Sequence, residues 1–209
     1  MPLVGTKANA GAFGLGWSSA PPAEVLGGMV LMTPTSIAST GTGNSSSINA
    51  NGSVTFSSCA TLSLNGVFTS EYDNYMVVIR LTVASASGDN ISFRLRASGT
   101  DNSTASSYVS QYLYAGSTTV IGARQTLSYG QLTYAYAGTE MGFSTNLYGP
   151  YLTQPTAFRT VAVSNDASAL VYDYAGTHNQ STAYDGITIG NIGGSRTISG
   201  LVSVYGLGG

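Results

Sequence analysis

Apolar residues along the chain recur at every second position, not at the three- and four-residue spacing of a helix. In the stretch NYMVVIRLTVA, Tyr75, Val77, Ile79, Leu81 and Val83 fall on one face of an extended segment. The alternate positions mix polar and apolar side chains. The pattern predicts a long strand that buries one of its faces.

A second alternating stretch, NISFRLRAS, follows the turn SASGD. Its apolar residues Ile91, Phe93 and Leu95 share one face, and the polar and charged residues between them share the other. Two alternating segments joined by a short Gly- and Asp-containing turn are typical of a hairpin. We therefore predict that these two strands pair with each other.

The outward face of that second strand carries Arg94 and Arg96. Three interpretations are open: a solvated sheet face, pairing with Glu71 or Asp73 across the sheet, or a salt bridge to another subunit. We include both arginines in a candidate ligand or subunit surface.

Further short alternating stretches, about ten strands in all, are separated mostly by Gly, Asn, Asp or Ser. The stretch RQTLSYGQLTYAYAG is taken as one of them. The spacing predicts an all-β chain with a β-sandwich or jelly-roll-like head domain. We divide the chain into an extended segment at 1–35, a flexible polar linker at 36–53 and the β-sandwich domain at 54–209, because 37–53 is low in complexity and rich in Ser and Asn.

The extended N-terminal segment is rich in Gly and Ala, with two large side chains, Phe13 and Trp17. It is too small to bury a core of its own and too apolar to be an ordinary solvated linker, so we expect it to have a partner. The alternative is a disordered tail.

The composition narrows the possible partners. Only 8% of the 209 residues are charged and the net charge is −2, so the sequence lacks the excess of Lys and Arg that nucleic acid binding needs. The apolar stretch VLGGMVLMTP is too short and too interrupted by glycine to span a membrane. We expect neither nucleic acid binding nor membrane insertion.

Catalytic and metal-binding patterns are weak. The single cysteine, Cys59, is interpreted as a buried strand residue, and the single histidine, His178, as a residue of a polar turn. Glu71 and Asp73 are close enough to suggest a glycosidase pair, but their position before a strand favours a turn. We expect no enzyme activity, no metal site and no cofactor.

Tyrosine is the informative residue type, with fourteen copies. Several tyrosines form pairs two positions apart, so each pair projects from one face of its strand. Tyrosine combines a large apolar ring with a polar tip, which suits wet recognition surfaces, although core packing or subunit contacts would use the same rings. The candidate pairs are Tyr112 and Tyr114, Tyr134 and Tyr136, and Tyr172 and Tyr174.

Three stretches together resemble small virion structural proteins of tailed bacteriophages, of the tail-fibre or minor structural type. They are KANAGAFGLGWSSA, then FTSEYDNYMVVIRLT with FRLRASGTDNSTASSY, and finally SRTISGLVSVYGLGG. The resemblance implies a location in the virion and an N-terminal segment that anchors to other virion proteins. Phe13 and Trp17 would fill pockets on a neighbouring virion protein, on a backbone that Gly11, Gly14 and Gly16 leave free to conform. It also implies a homotrimer whose β head is exposed towards a host cell-surface glycan or protein.

Two alternatives to a tail appendage remain open. The chain has no heptad or collagen-like shaft, and a capsid fibre or capsid decoration protein would share the plan of an anchor and a head. A carbohydrate-binding module is the alternative from a different class. Such a module would bind glycans as an isolated monomer.

Overall fold

A computed structural model describes residues 28–84, 88–116, 118–136, 138, 140–164 and 170–208. These residues form sixteen β-strands in two antiparallel sheets that pack as a sandwich, and they contain no helix. The predicted all-β sandwich is confirmed. No helix within these ranges is long and apolar enough to cross a membrane.

The larger sheet has ten strands. In spatial order it contains β10 (Thr119–Leu127), β9 (Tyr108–Gly116), β14 (Val171–His178), β13 (Thr156–Ser164), β12 (Glu140–Tyr148), β6 (Asn74–Ala84), β16 (Thr197–Leu207), β4 (Val54–Cys59) and β3 (Ser45–Ile48), with β1 (Met29–Met32) also paired to β16.

The smaller sheet has six strands. In spatial order it contains β11 (Gly130–Ala135), β7 (Asp89–Ala97), β15 (Gly186–Gly190), β5 (Thr61–Asn65) and β2 (Ser36–Thr40), with β8 (Thr100–Asp101) also paired to β7.

The core lies between the two sheets and follows the predicted alternation. All five inward positions of β6, from Tyr75 to Val83, are buried, and Ile91, Phe93 and Leu95 of β7 meet them from the other sheet. Cys59 is a buried free thiol, as the sequence predicts. Alternation along each strand therefore predicts correctly which face enters the core.

The predicted hairpin between β6 and β7 is wrong. β6 pairs with β12 and β16 in the larger sheet, whereas β7 pairs with β11, β15 and β8 in the smaller one. The chain crosses from one sheet to the other between these strands, so that their apolar faces oppose each other across the core instead of lying side by side.

Two further predictions about segments differ from the structure. The polar segment 36–53, expected to be a flexible linker, contributes β2, which pairs with β5, and β3, which pairs with β4. The stretch RQTLSYGQLTYAYAG is not one strand. It breaks at Ser128 and Tyr129 into the end of β10 and the whole of β11, which belong to different sheets.

The predicted anchor residues lie outside the described residues: Gly11, Phe13, Gly14, Gly16 and Trp17 all fall within 1–27. The last part of the expected N-terminal segment is described, and it contains β1, which pairs antiparallel with the end of β16. The sandwich thus begins earlier than the expected boundary at residue 54.

Candidate functional site: a tyrosine cleft between the sheets

The three predicted tyrosine pairs meet in one cleft. Two pairs come from neighbouring strands of the larger sheet, β9 and β14, and the third from β11 and the residue after it. β11 is the edge strand of the smaller sheet, and the larger sheet continues past β14 with β9 and β10. The cleft has a volume of about 350 Å³ and is lined by Asn90, Tyr112, Tyr114, Gln125, Gln131, Tyr134, Tyr136, Tyr172 and Tyr174. We call it the tyrosine cleft.

The floor of the tyrosine cleft is a two-by-two array of rings. Tyr112 lies directly opposite Tyr174 in the β9–β14 register, and Tyr114 lies opposite Tyr172. The ring centroids of these cross-strand pairs are 5.1 Å and 5.8 Å apart, and their planes differ by 32° and 31°. Along each strand the two rings are stacked, with centroids 6.4 Å and 6.2 Å apart. Period-two spacing on adjacent antiparallel strands produces this array.

The opposite wall comes from the smaller sheet. Tyr134 and Tyr136 stand edge to face, with ring centroids 5.2 Å apart. Beside them, the Gln131 side-chain amide donates hydrogen bonds to the Asn90 side-chain oxygen and, at 3.1 Å, to the Tyr174 hydroxyl. This amide therefore connects the wall to the floor.

Several polar groups of the cleft are available to a ligand. Within the described part of the chain, the hydroxyls of Tyr112, Tyr114 and Tyr134 make no hydrogen bond, and the buried Oε1 atom of Gln125 has no hydrogen-bond partner. A buried acceptor without a partner is costly, so a donor on a ligand would be favourable there.

The cleft is electrically neutral. Its lining contains tyrosine, glutamine and asparagine only, without a carboxylate, a histidine or a basic side chain among the described residues. Burial, and to a smaller extent the neighbouring Tyr112, raise the pKa of Tyr174 above its ordinary value, so its hydroxyl stays protonated at neutral pH. The cleft offers ring surface, hydroxyls and amides, and these groups are suited to binding rather than to acid–base chemistry.

The two candidate arginines lie away from the cleft and bond within the chain. Arg96 pairs with Asp101, not with Glu71 or Asp73, and donates further hydrogen bonds to Ser63 at 3.0 Å and Thr188 at 2.7 Å. Its side chain is only 11% exposed. Arg94 donates to the backbone oxygen of Ser128 at 3.0 Å. The structure therefore gives both arginines partners within the same chain.

His178 differs from the sequence prediction. It is the last residue of β14 and fully buried, not a residue of a polar turn. Its ring stacks on Tyr108 with centroids 4.1 Å apart, and its Nε2 atom lies 2.6 Å from the Tyr184 hydroxyl. Burial lowers the pKa of His178 to about 4, although the Ser107 backbone acts in the opposite direction. The imidazole is therefore neutral at pH 7.

Sequence reasoning missed the amides of the cleft. Asn90, Gln125 and Gln131 lie on three strands, and nothing in their local pattern separates them from the other amides of this Asn- and Ser-rich chain. Only the tyrosines carried a recognisable pattern. Among the described residues no group of His, Cys, Asp and Glu is arranged to hold a metal ion.

No protein-family model matches the chain, and no curated protein matches it. Two solved structures are similar at low TM-scores. One is the CBM2 module of the evolved Dit of Lactobacillus casei BL23 phage J-1, with 11% identity, a TM-score of 0.30 and coverage of 91% of this chain and 93% of that one. The other is the binding domain of botulinum neurotoxin serotype G, with 8% identity, a TM-score of 0.26 and coverage of 88% and 45%.

Proposed function

We propose that the protein is a non-catalytic binding module whose tyrosine cleft takes an uncharged glycan. The observation that carries the proposal is the convergence of six tyrosines and three amides in one neutral cleft. Sugar rings present both apolar C–H faces and hydroxyls, which match aromatic rings and amide or phenol groups. The cleft volume of about 350 Å³ lies in the range of small-ligand sites, so the cleft would hold a short oligosaccharide or the end of a longer chain.

The absence of charge in the described lining supports a neutral ligand over an acidic one. A carboxylated or sulfated glycan would lose its hydration in the cleft without gaining a basic partner, and burying an unpaired charge is costly. The unpartnered Oε1 of Gln125 favours a ligand with a hydrogen-bond donor.

The experiment is a glycan-array screen of the full chain, followed by calorimetric titration with the best neutral hit. Tyr114→Ala on the floor and Tyr134→Ala on the wall should each weaken binding by about tenfold or more, because each removes a contacting ring. The matched control is Tyr151→Ala, an exposed tyrosine outside the cleft, which should bind as the parent does.

Two outcomes would contradict the proposal. One is a hit whose affinity is unchanged in both cleft variants, which would place binding elsewhere. The other is a chain that is folded by circular dichroism but binds no neutral glycan while binding acidic ones.

The setting we propose for this module is a phage particle. The stretches that resemble tailed-phage structural proteins support a tail-fibre or other virion appendage, with a capsid fibre or decoration protein as the alternative. In that setting the part of the N-terminal segment that precedes β1 anchors the chain to other virion proteins, and the cleft faces a host cell-surface glycan. This part of the proposal rests on the sequence resemblance alone.

A further inference from the structure

The outer face of the larger sheet carries an apolar surface. Alternation and register place Leu113, Val161 and Val78 in one row across β9, β13 and β6, with Val171 and Val163 in the next row. All five are exposed, Val161 by 43% and Val163 by 51%. We call this set the valine face. Exposed large apolar side chains that form one contiguous patch mark an interaction surface, whereas scattered ones do not.

The valine face is low in relief. Ser144 of β12 lies between Val161 and Val78, and Ser203 of β16 continues this row. In the next row Gly142 lies between Val163 and Arg80. These small residues leave a shallow, open depression of about 770 Å³ lined mainly by apolar side chains. Such an open depression does not enclose a small ligand as a binding pocket does.

The charges of this face are balanced. Two exposed ion pairs lie among the valines, Arg80 with Glu140 at 2.8 Å and Arg159 with Asp173 at 2.6 Å. Asp173 lies in the first row, between Leu113 and Val161. The face therefore carries two positive and two negative groups. A face without net charge does not repel a second copy of itself.

The size of the face also fits a second copy. The valine face lies within the outer surface of six neighbouring strands, which are eight to eleven residues long: β9, β14, β13, β12, β6 and β16. At about 4.8 Å between strands and about 3.4 Å per residue, this whole outer surface measures roughly 29 Å by 30 Å. Complete overlap of two such surfaces would cover about 850 Å² on each copy, close to the roughly 800 Å² per partner of a stable protein interface.

We propose that the valine face binds the same face of a second copy, forming a two-fold dimer of stacked larger sheets. Such a contact uses one surface on both partners and closes at two copies. It thus differs from the trimer that the sequence resemblance implies. The tyrosine cleft opens on the other side of the same sheet and takes no part in the contact.

The test is the mass of the full chain in solution, measured by sedimentation equilibrium over about 1–100 μM, the range in which weak dimers dissociate. We expect twice the chain mass of 21.4 kDa at the upper end. Val161→Arg should raise the dissociation constant by about a hundredfold, because it places a long charged side chain at the centre of the contact, beside an Asp173 that Arg159 already pairs.

Val30→Arg is the matched control. Val30 is 39% exposed but lies on β1, outside the valine face, so its dissociation constant should equal that of the parent. Val163→Thr keeps the shape and β-branching of valine, and should still weaken the dimer several-fold if Val161→Arg does not fold.

A monomer at the highest concentration would overturn the proposal, even if a different protein binds the valine face. So would a trimer, or a dimer whose dissociation constant is the same in Val161→Arg and Val30→Arg. Glycan titration of the same variants separates this proposal from the proposed function, since Val161→Arg leaves the cleft intact.

Discussion

Lowering the pH from 7 to 5 should destabilise the protein through its one histidine. His178 is buried at the end of β14, and its Nε2 atom lies beside the Tyr184 hydroxyl. That hydroxyl accepts a hydrogen bond from Asn102 at 2.9 Å, which leaves its own proton for Nε2. A neutral imidazole can accept this proton, and a protonated one cannot.

The size of the effect follows from the two pKa values. Burial holds the pKa of His178 at about 4 in the folded chain, against 6.5 in the unfolded one. Between these values the unfolded chain binds more protons, so the free energy of unfolding falls as the pH falls. The full pKa shift contributes about 3 kcal/mol to the free energy of unfolding, and about 2 kcal/mol of this is lost between pH 7 and pH 5. The contribution is complete above about pH 6.5 and is lost by about pH 4.

Urea denaturation at several pH values between 7 and 5 measures this loss. His178→Gln should flatten the dependence, because it removes the titrating group. Tyr184→Phe should keep most of the dependence, since burial is the main cause of the lowered pKa and the variant retains the buried histidine. With only one histidine in the chain, an NMR titration of its ring reports the same pKa directly. A ring that titrates near 6.5, or an unchanged pH dependence in His178→Gln, would refute the reasoning.

Two further predictions concern stability and anchoring. Arg96→Met should lower the free energy of unfolding by about 2–4 kcal/mol in chemical denaturation, because it leaves the partly buried Asp101 unpaired. The control is Arg124→Met, at an exposed arginine, which should change the free energy of unfolding by less than about 0.5 kcal/mol. Equal losses would contradict the role of the Arg96 network. Deletion of residues 1–27 keeps β1 paired and should abolish incorporation into particles while glycan binding persists. Normal incorporation of the shortened chain would disprove the anchor.

Local alternation predicted the faces of single strands, because side-chain direction in a strand depends only on position. It did not predict which strands pair with each other. The β6–β7 hairpin was wrong since the choice between pairing with the next strand and crossing to the other sheet depends on distant strands. The strands β2 and β3 were not predicted because they lie at sheet edges and consist mostly of Ser, Thr and Ala, which leave no apolar pattern.

For the candidate site, too, the sequence predicted local features and not how distant strands come together. Period-two spacing identified each tyrosine pair, but nothing local shows that β9, β14 and β11 meet at one end of the sandwich. The prediction for His178 was wrong because its neighbours in sequence were misleading. Its polar neighbours in AGTHNQST suggested a turn, whereas the β14 strand extends to His178 and buries it against Tyr108 and Tyr184. Burial of a polar residue is decided by what packs on it, not by its neighbours in sequence.

The strand β14 contributes to both proposed surfaces. Tyr172 and Tyr174 point into the tyrosine cleft, while Val171 and Asp173 lie on the outer face of the same sheet. Because alternate residues serve opposite faces, substitutions one position apart separate ligand binding from self-association. Two clefts held by one dimer would also bind a glycan-coated surface more tightly than either cleft alone, without any new contact to the sugar. Loss of the dimer should therefore weaken binding to such a surface and leave binding to a soluble oligosaccharide unchanged.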